Sequence, residues 1–198
     1  MIRLFDLLGA SLGLLLLSPG LLLVAAAIRL ADGAPVFYRQ VRVGRHGQPF
    51  RIWKFRTMVV DADRTGRPLT VGGDPRVTRT GAWLRRWKLD ELPQLFNVVA
   101  GDMGFVGPRP EVPRYVALYT ESQRRVLDLR PGITDLASIA YRNENDLLAG
   151  REDPEGYYTS TILPEKIRIS LDYAARAGLW RNLKVILATL GLWPAGRI

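Results

Sequence analysis

From Leu7 to Ile28 the chain reads LLGASLGLLLLSPGLLLVAAAI, 22 residues without a charge, bounded by Asp6 and Arg29. As a helix rising ~1.5 Å per residue this run is about 33 Å long, enough to cross a bilayer. Ser18-Pro19-Gly20 falls in its middle. A proline there removes one backbone donor and frees carbonyls that the Ser18 hydroxyl can help to satisfy. Three elements fit the pattern: a kinked spanning helix, a re-entrant helix-break-helix that returns to its own leaflet, and a secretory signal peptide. A signal peptide needs a basic leader and a shorter apolar core, and Arg3 is the one leader base. Arginines on both flanks, Arg3 before and Arg29, Arg39 and Arg42 after, favour keeping both ends on the cytoplasmic side. The residues alone leave the kinked span and the re-entrant form open.

Beyond this run the pattern becomes that of a folded domain. Residues 36–58 alternate apolar and basic positions around a turn at Gly44 to Pro49, which predicts a two-stranded hairpin. Continued alternation would put Lys54, Arg56 and Met58 on one face and Phe55 and Thr57 on the other. His46, in the turn, reads as an exposed loop residue. Residues 59–80 are rich in Gly, Asp and Thr and predict a loop. DELPQLFNVVAG predicts a helix from Asp90 to about Val99 with Gly101 as its stop, because Asp is a preferred N-cap and proline is tolerated in a first turn. An amphipathic helix is expected over 114–129, then a loop to about Pro154, then helical patterning from Pro164 to Trp193. In that last piece Leu179, Leu183, Ile186, Leu187 and Leu190 form a stripe expected to face the core. The fold class predicted is α/β (α+β), mostly helical with a short β-hairpin, an N-terminal membrane element over residues 1–30 and one domain over 31–198.

Charge adds a partner class. The chain carries +9, and residues 29–88 hold fourteen Lys and Arg against four acids, so this window accounts for +10. Such an excess attracts phosphate, whether in nucleic acid, anionic lipid or a nucleotide substrate. There are no cysteines, which excludes disulfides and thiolate metal sites.

Candidate chemistry centres on RRWKLDELPQL, residues 85–95. Asp90 and Glu91 follow Arg85, Arg86 and Lys88 directly. An ordinary capped helix start accounts for these residues. The same geometry also lets helix dipole and cations hold Asp90 ionised and draw a phosphate to it, so that Asp90 could act as a nucleophile with a divalent metal screening the two anions. Adjacent helical residues point about 100° apart. The two carboxylates therefore suit different roles around one phosphorus, a nucleophile or metal ligand and a base or positioning group. Arg109 lies between Pro108 and Pro110, which restrict the backbone and lower the entropy lost on gripping an anion. Asp61-Ala62-Asp63 has the spacing by which some glycosyltransferases hold a metal-bound nucleotide sugar, but such triplets are common by chance, and it reads first as the capped start of a turn.

KFRTM (54–58), LDELPQLFNVVAGDM (89–103), VGPRPE (106–111) and RPGIT (130–134), in this order, resemble the bacterial sugar transferase family, the monotopic phosphoglycosyl transferases that act on polyprenol phosphates. The resemblance covers about Phe5 to Leu190 and looks like the short, catalytic-core form. It implies transfer of a sugar 1-phosphate from a UDP-sugar to undecaprenyl phosphate with release of UMP, a need for Mg²⁺, and a ping-pong route. It implies that Asp90 is the nucleophile and binds metal and that Glu91 assists. Lys54, Arg56, Arg85 and Arg109, with Pro108, Pro110 and Glu111 around the last, are implied to bind phosphate or substrate. Ser18 and Pro19 are implied to make a re-entrant break, with further amphipathic helices at the interface and the catalytic domain on the cytoplasmic face of the bacterial inner membrane. The partners expected are UDP-sugar, undecaprenyl phosphate and membrane lipid, with a homodimer allowed and no nucleic acid. Gly104 replaces a usual Ser, GITDLAS a usual GITGLAQ, and Asn182-Leu183 a frequent Asp-Leu. Asp135 and Ser138 lie where sugar or nucleotide preference is expected to be set, so no sugar is carried over. Two rivals remain: a metal-dependent glycosyltransferase using Asp61 and Asp63, which would release UDP, and a membrane-anchored anion-binding protein without activity.

Overall fold

The computed structural model describes residues 1–62, 73–194 and 196. Helix α1 (Ile2–Ala31) takes up the whole apolar run as one helix, about 45 Å long at ~1.5 Å per residue. The break expected at Ser18-Pro19 is absent, because helical conformation continues through Pro19. Proline lacks the N–H that would reach the Leu15 carbonyl four residues back. The Ser18 hydroxyl donates to that carbonyl instead, at 2.8 Å, which leaves the ladder locally satisfied.

Both ends of α1 dock on the rest of the chain. Near its start Arg3 donates to the carbonyls of Met103 (3.3 Å) and Val99 (3.4 Å), Asp6 accepts the Phe105 N–H (3.3 Å), and Ala10 packs with Leu95, Val98 and Met103. Near its end Ile28 packs on Phe55 and Leu84. The buried Arg56 guanidinium donates to the carbonyls of Asp32 (2.7 Å), Gly33 (2.8 Å) and Ala34 (3.3 Å), closing the helix C-terminus, and Asp32 accepts the Thr78 hydroxyl at 2.9 Å. Between these anchors Leu15, Leu16, Leu22 and Leu23 stand exposed.

Strands β1 (Phe37–Val43) and β2 (Pro49–Phe55) form the predicted antiparallel hairpin, in register from Phe37 opposite Phe55 to Val43 opposite Pro49. The connecting turn is a 3₁₀ helix, Arg45–Gly47, with an exposed His46 in left-handed conformation. β2 stops at Phe55, so the alternation that would have put Arg56 beside Lys54 does not continue, and Arg56 turns to α1. Helix α2 (Arg79–Arg86) is capped by Thr78, whose hydroxyl accepts the Gly81 N–H. A Cβ on Gly81 would come within 2.1 Å of the Thr57 carbonyl, so this glycine allows α2 to touch the chain leaving β2.

The single helix expected from Asp90 is two elements, a 3₁₀ segment Leu89–Gln94 and α3 (Leu95–Ala100), ended as expected by Gly101 at φ 99°. Pro93 cannot donate to the Leu89 carbonyl as an α-helix would require. Two short strands, β3 (Gly104–Val106) and β4 (Gly132–Thr134), then pair in parallel. The predicted 114–129 helix is broken into α4 (Pro113–Val116), α5 (Glu121–Arg124) and a 3₁₀ turn Arg125–Asp128, because Thr120 opens a new capping box with Gln123. Where a loop was expected lie α6 (Leu136–Ala140) and α7 (Glu144–Ala149). After these come α8 (Pro154–Tyr157), a π-helical turn Tyr158–Ile162, α9 (Leu163–Ala174) and α10 (Leu179–Thr189). The core face of α10 is Asn182, Val185 and Ala188, not the leucine stripe; Leu179, Trp180 and Leu190 are exposed. Asn182 accepts the buried Tyr173 hydroxyl at 2.8 Å, and this rotates the helix away from the stripe.

If Arg56 closes α1 as described, Arg56→Leu strips a charged donor from three carbonyls and lowers unfolding stability by about 2–4 kcal/mol. Thermal unfolding in detergent reads this as a lower midpoint. A purely ligand-binding arginine would leave the midpoint unchanged.

Candidate active site

Four segments bring the site together. β2 supplies Lys54, α2 supplies Arg85, the 3₁₀ segment supplies Asp90 and Glu91, and the loop between β3 and α4 supplies Arg109. Asn97, buried in α3, fixes β2 against this unit: its Oδ1 accepts the Trp53 N–H (2.9 Å), and its Nδ2 donates to the Arg51 carbonyl (2.9 Å) and to Asp102 (3.0 Å).

Glu91 is clamped. Its Oε1 accepts from Lys54 Nζ at 2.8 Å and from Arg109 Nη2 at 2.5 Å, and its Oε2 accepts from Arg109 Nη1 at 3.3 Å. Burial favours the protonated acid, but the Arg109 and Lys54 charges and their hydrogen bonds outweigh it and hold Glu91 well below the usual carboxylate range. A carboxylate held this low is a poor base. The Glu91 charge in turn pushes the Arg109 guanidinium up, against burial. Burial lowers Lys54, with Glu91 opposing.

Asp90 is in a different state. The 3₁₀ backbone turns about 120° per residue, which separates it from Glu91's clamp. Asp90 is buried, and its Oδ1 has no hydrogen-bond partner. Burial raises its pKa, Lys54 opposes, and the neighbouring Glu91 charge raises it further. This corrects two expectations. The residue before the 3₁₀ segment is Lys88, in left-handed conformation, so Asp90 is not an N-cap. Its environment raises the pKa, because burial outweighs the cations. Arg85 donates its Nε to Thr57 Oγ1 at 2.8 Å and is itself lowered by burial, with Asp90 the leading charge that opposes this.

The structure therefore gathers Asp90, Glu91, Lys54, Arg85 and Arg109, and directs Arg56 to the end of α1. Pro108 and Pro110 hold the Arg109 loop through their carbonyls, which accept from Gly132 N–H (3.1 Å) and Arg42 Nη1 (3.0 Å). Glu111 is buried and accepts the Tyr158 hydroxyl. Ser18 and Pro19 lie in mid-α1. Asp61 has a positive φ, and Asp63 lies outside the described residues. Among the described residues no three or more His, Asp and Glu converge as a metal site. The unpartnered Asp90 Oδ1 does fit a Mg²⁺ ion, which is commonly held by one or two carboxylates together with substrate phosphates. Sequence reasoning missed Arg42, Thr57, Asn97 and Tyr158. Asn97 alone had a visible signal, a lone amide inside the apolar run LFNVV.

The model of the bacterial sugar transferase family matches residues 1–194. The chain is 48% identical over 141 residues to "Uncharacterized sugar transferase EpsL" of Bacillus subtilis (strain 168), covering 71% of this chain and 69% of the relative. It is 38% identical over 199 residues to "UDP-glucose:undecaprenyl-phosphate glucose-1-phosphate transferase" of Caulobacter vibrioides, covering 95% of this chain and 67% of that protein. It is 36% identical over 194 residues to the protein of the same name in Escherichia coli (strain K12), covering 93% of this chain. It spans 38% of that longer relative. The four motifs, the clamped Glu91 beside a buried Asp90 and the match over nearly the whole length agree: the chain belongs to the bacterial sugar transferase family.

Proposed function

We propose that this phosphoglycosyl transferase moves a sugar 1-phosphate from a UDP-sugar to undecaprenyl phosphate through a covalent intermediate on Asp90. The reaction class is supported by the family and by relatives with that activity in their names. The observation that carries the route is the Asp90 Oδ1, buried and unpaired beside a glutamate whose own charge is spent on Lys54 and Arg109.

In the first step an Asp90 oxygen attacks the phosphorus attached to the sugar. The new O–P bond replaces the phosphoanhydride bond, and UMP leaves with that electron pair. In the second step a phosphate oxygen of the lipid attacks the same phosphorus, the Asp90–phosphorus bond breaks, and the carboxylate is regenerated with a lipid diphosphate sugar as product. Mg²⁺, when bound at Asp90 and the diphosphate, would neutralise charge between the two anions. Glu91 holds Lys54 and Arg109 in place and takes no proton. Arg109 gives two donor groups to Glu91 while 33% of its side chain remains open, so its charge can meet a phosphate at low entropic cost. Arg85 adds a further positive charge near Asp90.

α1 brings this site to the lipid. It is long and apolar enough to cross a membrane, yet both of its ends dock on the catalytic body. A straight span would separate those ends by a hydrocarbon layer of about 30 Å. Both contacts support a monotopic placement, with the exposed leucines dipping into one leaflet, and the arginines flanking α1 support the cytoplasmic side for the domain.

Incubation with UDP-sugar, Mg²⁺ and undecaprenyl phosphate is expected to release UMP; release of UDP would instead indicate direct glycosyl transfer. The raised Asp90 pKa gives two further expectations. An attacking carboxylate must be ionised, so activity falls as pH drops through its pKa, and Lys54→Met, which removes the cation that opposes burial, moves that acid limb to higher pH. Because a raised folded-state pKa means that the ionised form costs stability at neutral pH, Asp90→Asn is expected to abolish turnover yet raise the unfolding midpoint, by about 2–4 °C per kcal/mol of relief. A lower midpoint would contradict the unpaired state of Asp90.

A further inference from the structure

The loop that carries Arg109 is short of backbone donors, since Pro108 and Pro110 have no N–H. Backbone bonds tie it at its edges: Gly107 N–H to the Thr134 carbonyl (3.0 Å), Gly132 N–H to the Pro108 carbonyl (3.1 Å) and Val43 N–H to the Glu111 carbonyl (2.9 Å). A Cβ on Gly107 or Gly132 would come within 2.2 or 2.1 Å of the facing backbone, so β3 and β4 meet there at the closest approach the chain allows.

The remaining anchor comes from a distant segment. Tyr158, only 2% exposed, donates its hydroxyl to Glu111 Oε1 at 2.5 Å, and Arg42 Nη1 stands 3.9 Å from Glu111 Oε2 while bonding the Pro110 carbonyl. Tyr158 opens the π-helical turn, in which the Leu163 N–H reaches back five residues to the Tyr158 carbonyl. Such turns cost regular helix geometry and occur often at functional sites. Burial together with the Glu111 charge pushes the phenol far up, so it stays a donor. Its ring packs on Tyr115 at 5.2 Å between centroids, but the Tyr115 hydroxyl points to Glu155 at 3.5 Å. The two tyrosines share one core cluster, and of the two it is Tyr158 that reaches the loop.

We propose that Tyr158 is a positioning residue for Arg109: its buried hydroxyl holds Glu111, and through the rigid Pro108–Glu111 loop it fixes the guanidinium that faces Glu91. Without the hydroxyl a buried carboxylate loses its nearest donor and has to move toward Arg42 or water, taking the loop with it. What Arg109 grips rests on the function proposed above; how Arg109 is held does not.

The test compares Tyr158→Phe with Tyr115→Phe, which removes a hydroxyl from the same aromatic pair. Hydrogen exchange at the three amides that tie the loop, Gly107, Gly132 and Val43, and steady-state UMP release are measured on the full chain in detergent. Tyr158→Phe is expected to speed exchange at Gly107, Gly132 and Val43 and to raise the KM for UDP-sugar about tenfold with a smaller change in kcat, the tenfold corresponding to the roughly 1.4 kcal/mol of one buried hydrogen bond. Tyr115→Phe should leave both readouts within about twofold of the parent. Unchanged exchange in Tyr158→Phe, or equal changes in the two variants, would overturn the proposal. Faster exchange with an unchanged KM would uphold the positioning and overturn the assignment of Arg109 to the nucleotide sugar. Should Tyr158→Phe not fold, Glu111→Gln decides: its amide oxygen still accepts the phenol, so exchange at Gly107, Gly132 and Val43 should stay slow, and faster exchange there would count against the hydrogen bond.

Discussion

The pairing of Glu91 with Lys54 and Arg109 is the constraint on which the site depends. It joins a strand, a 3₁₀ segment and a loop that are far apart in sequence, and it is half-buried, so leaving any of the three charges without its partner would be costly. The pairing also sets the state of the neighbouring residue. Burial raises Asp90; Lys54 opposes this, the Glu91 charge adds to it, and Arg85 and Arg109 oppose it further. Two adjacent carboxylates thus acquire different properties from their surroundings. One is an anchor for cations and the other keeps a buried oxygen without a hydrogen-bond partner.

The position of the site relative to the membrane rests on a second set of buried polar contacts. Arg3 and Asp6 fasten one end of α1 to the segment around α3 and β3, and Arg56 and Asp32 fasten the other to the chain leaving β2 and to the start of α2. These are the elements that carry Lys54, Asp90 and Arg85. The apolar helix and the candidate site residues therefore share a scaffold.

Much of this was legible in the residues. The hairpin followed from alternation around Gly44 to Pro49, the apolar helix from its uncharged length, and the cluster of Asp90, Glu91, Lys54, Arg85 and Arg109 from motif resemblance together with the logic of phosphate binding. What the sequence hid has physical causes. Arg56 reads like a second Lys54 as long as the strand continues, and only the end of β2 reveals that it caps a helix. Asp90 reads like an N-cap next to three cations, but burial, which no local pattern reports, reverses the expected shift of its pKa. The leucine stripe of α10 reads as core-facing until Asn182 is seen to pair with Tyr173. Long-range partners such as Tyr158 and Glu111, 47 residues apart, leave no periodic trace at all.

The central claim is that Asp90 forms a bond to phosphorus. Intact-mass measurement of the full chain, incubated with UDP-sugar and Mg²⁺ but no lipid acceptor, addresses it directly. The account predicts an added sugar phosphate that maps to Asp90, is discharged by undecaprenyl phosphate, and is missing from Asp90→Asn. An Asp90→Asn protein that still turns over, or a lipid-free protein that releases UMP without gaining the adduct, would contradict it.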